Sequence, residues 1–380
     1  QRRSNGPGAR LPYLVVLLDR LEGYTAAFES VDGGVLVDRI TGLLQEGAGV
    51  GIRFVIAADR SGVLGRISTL VEDRIMLSMS DPSDFSAIGL SNKDVPSVML
   101  PGRAFRGGER PREMQWALLD ETGIGTDQVR ALHEIGRASQ ERFADLERSR
   151  RPQRIDELPA SLGLAEAMEL DPESPSRSFV PVGVGGDTLS RLGFDPLRDG
   201  PGFLVAGPPR SGKSNTLLGI VRQQVDQRRN VIVFTPRISP LREHKAGRNL
   251  RVFTGDEPIN DIKDALAALR GEHTIVVDDF DVIGADTPVG QALTEHYGTL
   301  RDTTSIMVVA ANIDEILSLY RGLPVELKRG RTGLVLAPRA SNDGDVLNAR
   351  LPRSVGASLP VGRGVLTHAG GWRWIQVPKA

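Results

Sequence analysis

Eight consecutive residues, GPPRSGKS at positions 207 to 214, carry the most specific chemistry in this sequence. Gly207 and Gly212 with Lys213 and Ser214 match G-x-x-x-x-G-K-[ST], and the context is right, with a buried strand before and an amphipathic helix after. In such a loop the backbone amides of Gly207, Pro208, Pro209, Arg210, Ser211 and Gly212 (prolines excepted as donors) and the helix N-terminus wrap an anion. Lys213 then reaches the β- and γ-phosphates of a nucleotide, and the Ser214 hydroxyl binds magnesium. Asn215 and Thr216 open the helix behind the loop, either touching the nucleotide or serving as ordinary first-turn residues.

The acidic partner is HTIVVDDF, a Walker B strand two units downstream. A carboxylate at the carboxyl end of a buried strand beside the loop can hold magnesium, directly or through water, and Asp278 fits that role. Asp279 stands where related motors use a glutamate to polarise the attacking water; the alternative is a helix-capping or solvent carboxylate. Its side chain is one methylene shorter than glutamate, and a misplacement of about 1 Å can slow a reaction on the order of a hundredfold. ATP and magnesium binding is therefore a firmer expectation than fast hydrolysis. Asn312, at the end of the strand IMVVAAN, is a candidate sensor of the γ-phosphate or a plain strand-end cap.

These side chains need a sheet to position them. From Gly202 onward, apolar strands rich in β-branched residues (GFLVAG, VIVFTP, HTIVVDD, SIMVVAAN, TGLVLAP) alternate with amphipathic helices. In one such helix Leu217, Leu218, Val221 and Val225 share a face; in another Ile262, Ala265, Leu266 and Leu269 do. The pattern predicts a doubly wound α/β domain.

The unit occurs twice. LPYLVVLLDR resembles EHTIVVDDF, GIRFVIAADRS resembles TSIMVVAANID, EDRIMLSMSDP resembles GRTGLVLAPRA, and VPSVMLPGRAFRGG resembles GASLPVGRGVLTHAGG, at an offset of about 250 to 260 residues. Only eighteen residues precede Asp19, the counterpart of Asp278, so the first copy is expected to lack its opening half and its loop. Asp19 is followed by Arg20, a cation with no base function, so this copy is not expected to bind nucleotide by itself. Arg60, in AADRS, is either an arginine finger acting across an interface or a surface salt bridge. Between the copies DQVRALHEIGRASQERFADLERSR reads as one long polar helix followed by a proline-containing connection, which places the domain boundary near residue 150 and the domains at 1–150 and 151–380. The basic run Arg148 to Arg154 reads as a solvated helix end rather than a nucleic-acid contact.

Composition narrows the classes. A chain of 380 residues suits two ordinary domains, and 47 Lys+Arg against 48 Asp+Glu makes no global basic field for nucleic acid or anionic membrane. The absence of cysteine excludes disulfides and thiolate metal sites. No apolar run has the roughly 18 to 20 residues that cross a bilayer, so the chain reads as soluble, with any anchor upstream of Gln1. His133, His244, His273, His296 and His368 show no metal-ligand spacing. Trp372 and Trp374 in GGWRWIQVP read as the two faces of a closing strand, or as a peptide-binding pair.

GPPRSGKSNTLL, IVVDD, MVVAAN and the late LPVGRG together resemble the FtsK/SpoIIIE class of P-loop motors. The tandem plan, with PGRAF near the end of one copy and VGRGV near the end of the other, is similar more specifically to the EccC ATPases of type VII secretion, from about Leu11 to Pro378. The resemblance implies tandem RecA-like P-loop NTPase domains, the first one incomplete, in a membrane-anchored and usually hexameric motor. It implies ATP and Mg2+ as cofactors, and as partners secreted substrate proteins and other subunits of the secretion machine. It also implies later ATPase units with degenerate catalytic carboxylates, as Arg20 and Asp279 would be. The competing readings are a double-stranded DNA translocase of the segregation or conjugation type, and a nucleotide-clamped assembly or regulatory module that hydrolyses little.

Overall fold

The computed structural model describes residues 13–60, 62, 66–147, 151, 154–174, 176–243, 248–301, 303–351, 355, 359–369 and 371–380. The chain divides into two compact units, Gln1–Arg151 and Pro152–Ala380.

In the first unit β1 (Leu14–Leu18) and β2 (Ile52–Ile56) form a parallel pair, joined through the helix Val35–Val50. A separate antiparallel sheet contains β3 (Ile75–Met76), β4 (Arg103–Arg106) and β5 (Arg112–Gln115). A small core of Met76, Phe85, Ile88 and Phe105 lies beside the second sheet. The polar helix Gly125–Arg142 follows and buries no residue. Of the basic run after it, residues 148–150, 152 and 153 lie outside the described residues, as does His244; Arg151 donates to the Leu146 carbonyl at 2.7 Å.

The second unit is built on one sheet of ten strands. In chain order they are β6 (Val180–Gly185), β7 (Ser190–Phe194), β8 (Gly202–Ala206), β9 (Asn230–Phe234), β10 (Leu250–Phe253), β11 (His273–Val277), β12 (Ile306–Ala311), β13 (Gly333–Leu336), β14 (Arg363–His368) and β15 (Gly371–Gln376). Their spatial order is β10-β9-β11-β12-β8-β13-β14-β15-β6-β7. The run from β10 to β13 is parallel and the rest antiparallel. Strands β8, β11, β12 and β13 are buried at every position, because helices cover both faces of the parallel half.

Alternation along each strand feeds two cores. Leu204, Ile275, Val309 and Val335 point to one side, where they meet Ile262, Ala265 and Leu266 of the helix Ile259–Ala268 and Leu293 of the helix Pro288–Gly298. Phe203, Val205, Val276 and Val308 point to the other, against Leu217, Leu218, Ile220 and Val221 of the helix Lys213–Asp226. Truncating a side chain as fully enclosed as Leu217 to alanine costs about 2–5 kcal/mol. The helix behind the loop is thereby fastened to the sheet that carries the acids.

The internal repeat is visible in the strand pairing. β1 and β2 pair in parallel as their counterparts β11 and β12 do, and β3, β4 and β5 follow the antiparallel order of β13, β14 and β15. In the second unit β8 stands between these two groups; among the described residues of the first unit no strand takes that place. The physical consequence is exposure. Leu14, Val15, Leu17 and Val55 are 58%, 54%, 76% and 60% exposed, whereas Ile275, Val276, Val277 and Val308 are all at 0%.

One expectation is corrected. Trp372 and Trp374 lie on one face of β15, not on two, because residues two apart in a strand point the same way. Their rings meet edge to face with centroids 6.4 Å apart, and Trp374 packs on Leu351, Val355 and Val365.

Candidate functional site

The loop leaves β8 and turns back into the helix Lys213–Asp226 at the carboxyl end of the parallel strands. Glycine is required at two points for different reasons. A Cβ on Gly207 would stand 2.4 Å from Ser211 Oγ and 3.1 Å from Leu336 Cβ, and Gly212 adopts φ 102. Arg210 is also left-handed, at φ 63. Lys213 arches back over the loop, its Nζ donating to the carbonyls of Gly207 at 2.9 Å and Pro208 at 3.0 Å. Burial holds the Lys213 ammonium below its ordinary range, while Asp279, Asp281 and Asp278 oppose that effect.

Asp278 ends β11 with no exposed surface. Its Oδ1 accepts the Asp279 amide at 3.1 Å, and its Oδ2 is buried without a hydrogen-bond partner among the described residues. Burial pushes this carboxyl up, and the neighbouring Ser214 hydroxyl and Lys213 ammonium pull the other way. A buried carboxylate oxygen with no partner, beside a serine hydroxyl, is an oxygen donor set of the kind a hard divalent cation takes. The residues present therefore fit magnesium, and the loop with its helix N-terminus fits a phosphate chain.

Asp279 occupies a left-handed turn at φ 46, ψ 53 that starts the short helix Phe280–Ile283 without a capping hydrogen bond from its side chain. Its carboxylate instead faces Arg237, with Nη1 3.6 Å from Oδ1, and the same Nη1 is 3.7 Å from Asp281 Oδ2. Burial pushes the Asp279 carboxyl up, Arg237 opposes, and Asp281 adds to the rise. Asn312 follows β12; its backbone N–H donates to Asp281 Oδ1 at 3.3 Å. Its side chain makes no cap to the following helix, and its Oδ1 is buried with no hydrogen-bond partner among the described residues.

These groups line one cavity of about 360 Å³. Pro209, Arg210, Gly212, Lys213, Ser214, Asn215, Asp279 and Asn312 reach its wall together with two residues that sequence reasoning missed, Arg237 and Asp281. Gly207, Pro208, Ser211 and Asp278 stand behind the wall, where the first two supply the carbonyls that hold Lys213. Asp281 had a local signal, being two residues past the acidic pair. Arg237 had none, because it follows a different strand, β9, which the sheet sets beside β11.

Two first-turn residues have structural partners. The Thr216 hydroxyl donates to the Gly212 carbonyl at 3.0 Å, within its own helix. The Asn215 amide, expected to touch nucleotide, is held by the strand tail, donating to the Pro378 carbonyl at 2.8 Å and accepting from the Ala380 amide at 3.0 Å. Its amide is thus committed to fastening the loop helix to the segment after β15, since both of its hydrogen-bonding ends have backbone partners. In the first unit, Arg60 forms an ion pair with the buried Asp84 at 2.9 Å. Arg363 of LPVGRG donates to the carbonyls of Leu158 and Pro159 and to Gln376 Oε1, so it fastens the entry of the second unit to β14 and β15.

No protein-family model and no curated protein sequence matches the chain. Among solved structures, EssC (ATPases 2 and 3) from Geobacillus thermodenitrificans aligns with a TM-score of 0.69 and 20% identity, over 98% of this chain and 72% of that one. Thermomonospora curvata EccC (ATPases 2 and 3), in complex with a signal sequence peptide, aligns with a TM-score of 0.57 and 22% identity, over 100% of this chain and 70% of its own. The cytoplasmic domain of EssC aligns with a TM-score of 0.57 and 20% identity, over 97% and 77% of the two chains. At these identities the likeness is one of fold, and it spans nearly the whole chain: this protein has the tandem ATPase-domain fold of EssC and EccC.

Proposed function

We propose that this chain is an ATP-binding motor segment of an FtsK/SpoIIIE-type translocase, of the kind that drives type VII protein secretion. The observation that carries the reading is one cavity walled by the phosphate loop and the acid Asp279, with the buried Asp278 carboxylate, one oxygen of which has no partner among the described residues, behind that wall. Likeness of fold to secretion ATPases over nearly the full length favours export over other cargoes.

In this reading Lys213 leaves the Gly207 and Pro208 carbonyls for the β- and γ-phosphates when ATP enters. Ser214 and Asp278 would hold magnesium, which would supply charge neutralisation to the phosphate chain. Asp279 orients the attacking water and Asn312 presents its side-chain oxygen or amide to the γ-phosphate end. Hydrolysis is slow, because the Asp279 carboxylate is short and faces Arg237 in the resting site. The partners are secreted proteins bearing a signal sequence, as bound by the EccC relative, and further subunits of a membrane-attached, hexameric machine. No helix among the described residues is long and apolar enough to cross a membrane, so attachment would come from elsewhere.

The test is equilibrium binding of a fluorescent ATP analogue to the purified chain beside Lys213→Ala. Loss of binding of about a hundredfold is expected in the variant. Equal affinity in both would remove the site assignment, and steep salt-dependent affinity for duplex DNA would favour a DNA translocase instead.

A further inference from the structure

Arg237 is a cation at the cavity that comes from outside the loop and the acidic strand end, and its surroundings are built in an unusual way. The backbone on either side of it is fixed. Thr235 Oγ1 donates to the Arg237 carbonyl at 3.2 Å and shares a hydrogen bond with Ser239 Oγ at 2.9 Å. The Arg242 guanidinium ties down the carbonyls of Thr235, Pro236 and Thr254 at 3.1, 2.6 and 3.2 Å. The Arg237 side chain, by contrast, is 60% exposed, and its nitrogen lies 3.6 Å and 3.7 Å from two carboxylates, beyond hydrogen-bond distance of either. A rigid base thus carries a loosely held guanidinium over the cavity.

Position says what that guanidinium meets. The loop lysine would reach the β- and γ-phosphates, and Asp278 at the end of the neighbouring strand would hold the metal. Arg237 lines the same cavity as the loop and stands beside Asp279 and Asp281, the acids next to the strand-end Asp278, which assigns it to the terminal-phosphate side. A γ-phosphate carries more charge than either aspartate and matches the planar fork of a guanidinium in two parallel hydrogen bonds.

We propose that Arg237 is the residue by which this site distinguishes a nucleoside triphosphate from a diphosphate. With a terminal phosphate present the guanidinium moves from Asp279 and Asp281 onto it; with a diphosphate it stays on the aspartates. The exchange also frees Asp279 to face the γ-phosphate only when there is one to attack. The proposal rests on the nucleotide-site reading above, and goes beyond it by assigning the discrimination to a side chain outside the loop.

The experiment compares Kd values for a non-hydrolysable ATP analogue and for ADP, both with magnesium, in the wild-type chain, Arg237→Ala, Arg237→Lys and Lys213→Ala. The expected result is a loss of about tenfold or more in triphosphate affinity for Arg237→Ala with ADP affinity held within about twofold, and partial recovery in Arg237→Lys. Unchanged discrimination in Arg237→Ala, or equal losses for both nucleotides, overturns the proposal. Circular dichroism and thermal melting of each variant separate misfolding from lost recognition. If Lys213→Ala binds like wild type, the nucleotide-site reading fails; if Lys213→Ala loses binding while Arg237→Ala keeps the ratio, only the role of Arg237 fails.

Discussion

Arg20 and Asp279 occupy the same left-handed turn in the two copies of the repeat, at φ 56, ψ 71 and φ 46, ψ 53, each directly after a strand-end aspartate and directly before a helix. The backbone has been kept while the side chain has changed sign. Arg20 pairs with Glu22 two residues on, and Asp279 faces Arg237. The turn is thus a scaffold position for a group at the strand end, and its chemistry is set by what it carries.

Asp279→Glu restores the longer carboxylate at this turn. ATP turnover by the chain should rise about tenfold or more, because the added methylene extends reach toward the water. Asp tolerates a left-handed backbone better than Glu, so the melting temperature should fall by about 2–4 °C. Steady-state phosphate release and a thermal melt read the two effects separately. Unchanged turnover would argue that Asp279 has no part in activating water.

Asp278→Asn should stabilise the nucleotide-free protein. Burial raises the folded-state pKa of Asp278 above its unfolded value, so the stability it contributes is present below the unfolded pKa and is lost as pH rises through the folded one. Above the folded-state pKa the ionised, buried carboxylate is a burden that asparagine removes. The expected gain is about 2–4 °C in melting temperature, equivalent to about 1 kcal/mol, with loss of the magnesium-dependent part of nucleotide binding. A lower melting temperature would show that the carboxylate has an unseen stabilising partner.

His273 and His296 form a pair at the opposite end of the sheet from the loop, with their Nε2 atoms 3.1 Å apart; His273 Nδ1 lies 2.9 Å from the Gly271 carbonyl and 3.2 Å from Ser305 Oγ. Burial, and then the charge of His273, lower His296 from 6.5 to about 4. A depressed histidine binds fewer protons folded than unfolded, so stability is present above pH 6.5 and declines as pH falls toward 4. The decline should be on the order of 2 kcal/mol once partial exposure is allowed for. Urea midpoints measured from pH 7 to 4 should lose this step in His296→Gln; an unchanged profile would remove the pair as its source.

Arg363→Ala should lower stability by about 2–3 kcal/mol, because three acceptors, two half-buried carbonyls and the buried Gln376, lose a charged donor at once. Arg363→Lys should recover little of it, since an ammonium cannot reproduce the fork that spans two carbonyls and Gln376. Denaturant unfolding of both variants checks this, and recovery by lysine would mean that charge alone matters there.

Local information was enough for much of the site. GPPRSGKS announced the loop that walls the cavity and opens the helix behind it, because its glycine conformations and helix-opening lysine are specified within eight residues. HTIVV and IMVVAA announced buried strands because a sheet covered on both faces wants apolar residues at consecutive positions. The internal repeat was legible for the same reason, as recurring strand ends at a fixed offset. The pairing of Trp372 with Trp374 was misread, although the period of a strand by itself puts both on one face.

Sequence alone therefore determined which elements form, that the unit is doubled, and which loop and acid are the candidates for phosphate and metal, since each of these depends on neighbours along the chain. Only the tertiary structure decided that Arg237 reaches Asp279 and Asp281, that Lys213 folds back on two carbonyls, and that the Asn215 amide is held by the tail. It also showed that strands of the first unit are exposed where their counterparts in the second are enclosed. The physical reason is that a parallel sheet sets strand ends side by side that are dozens of residues apart in sequence, and electrostatic partners are chosen by that adjacency.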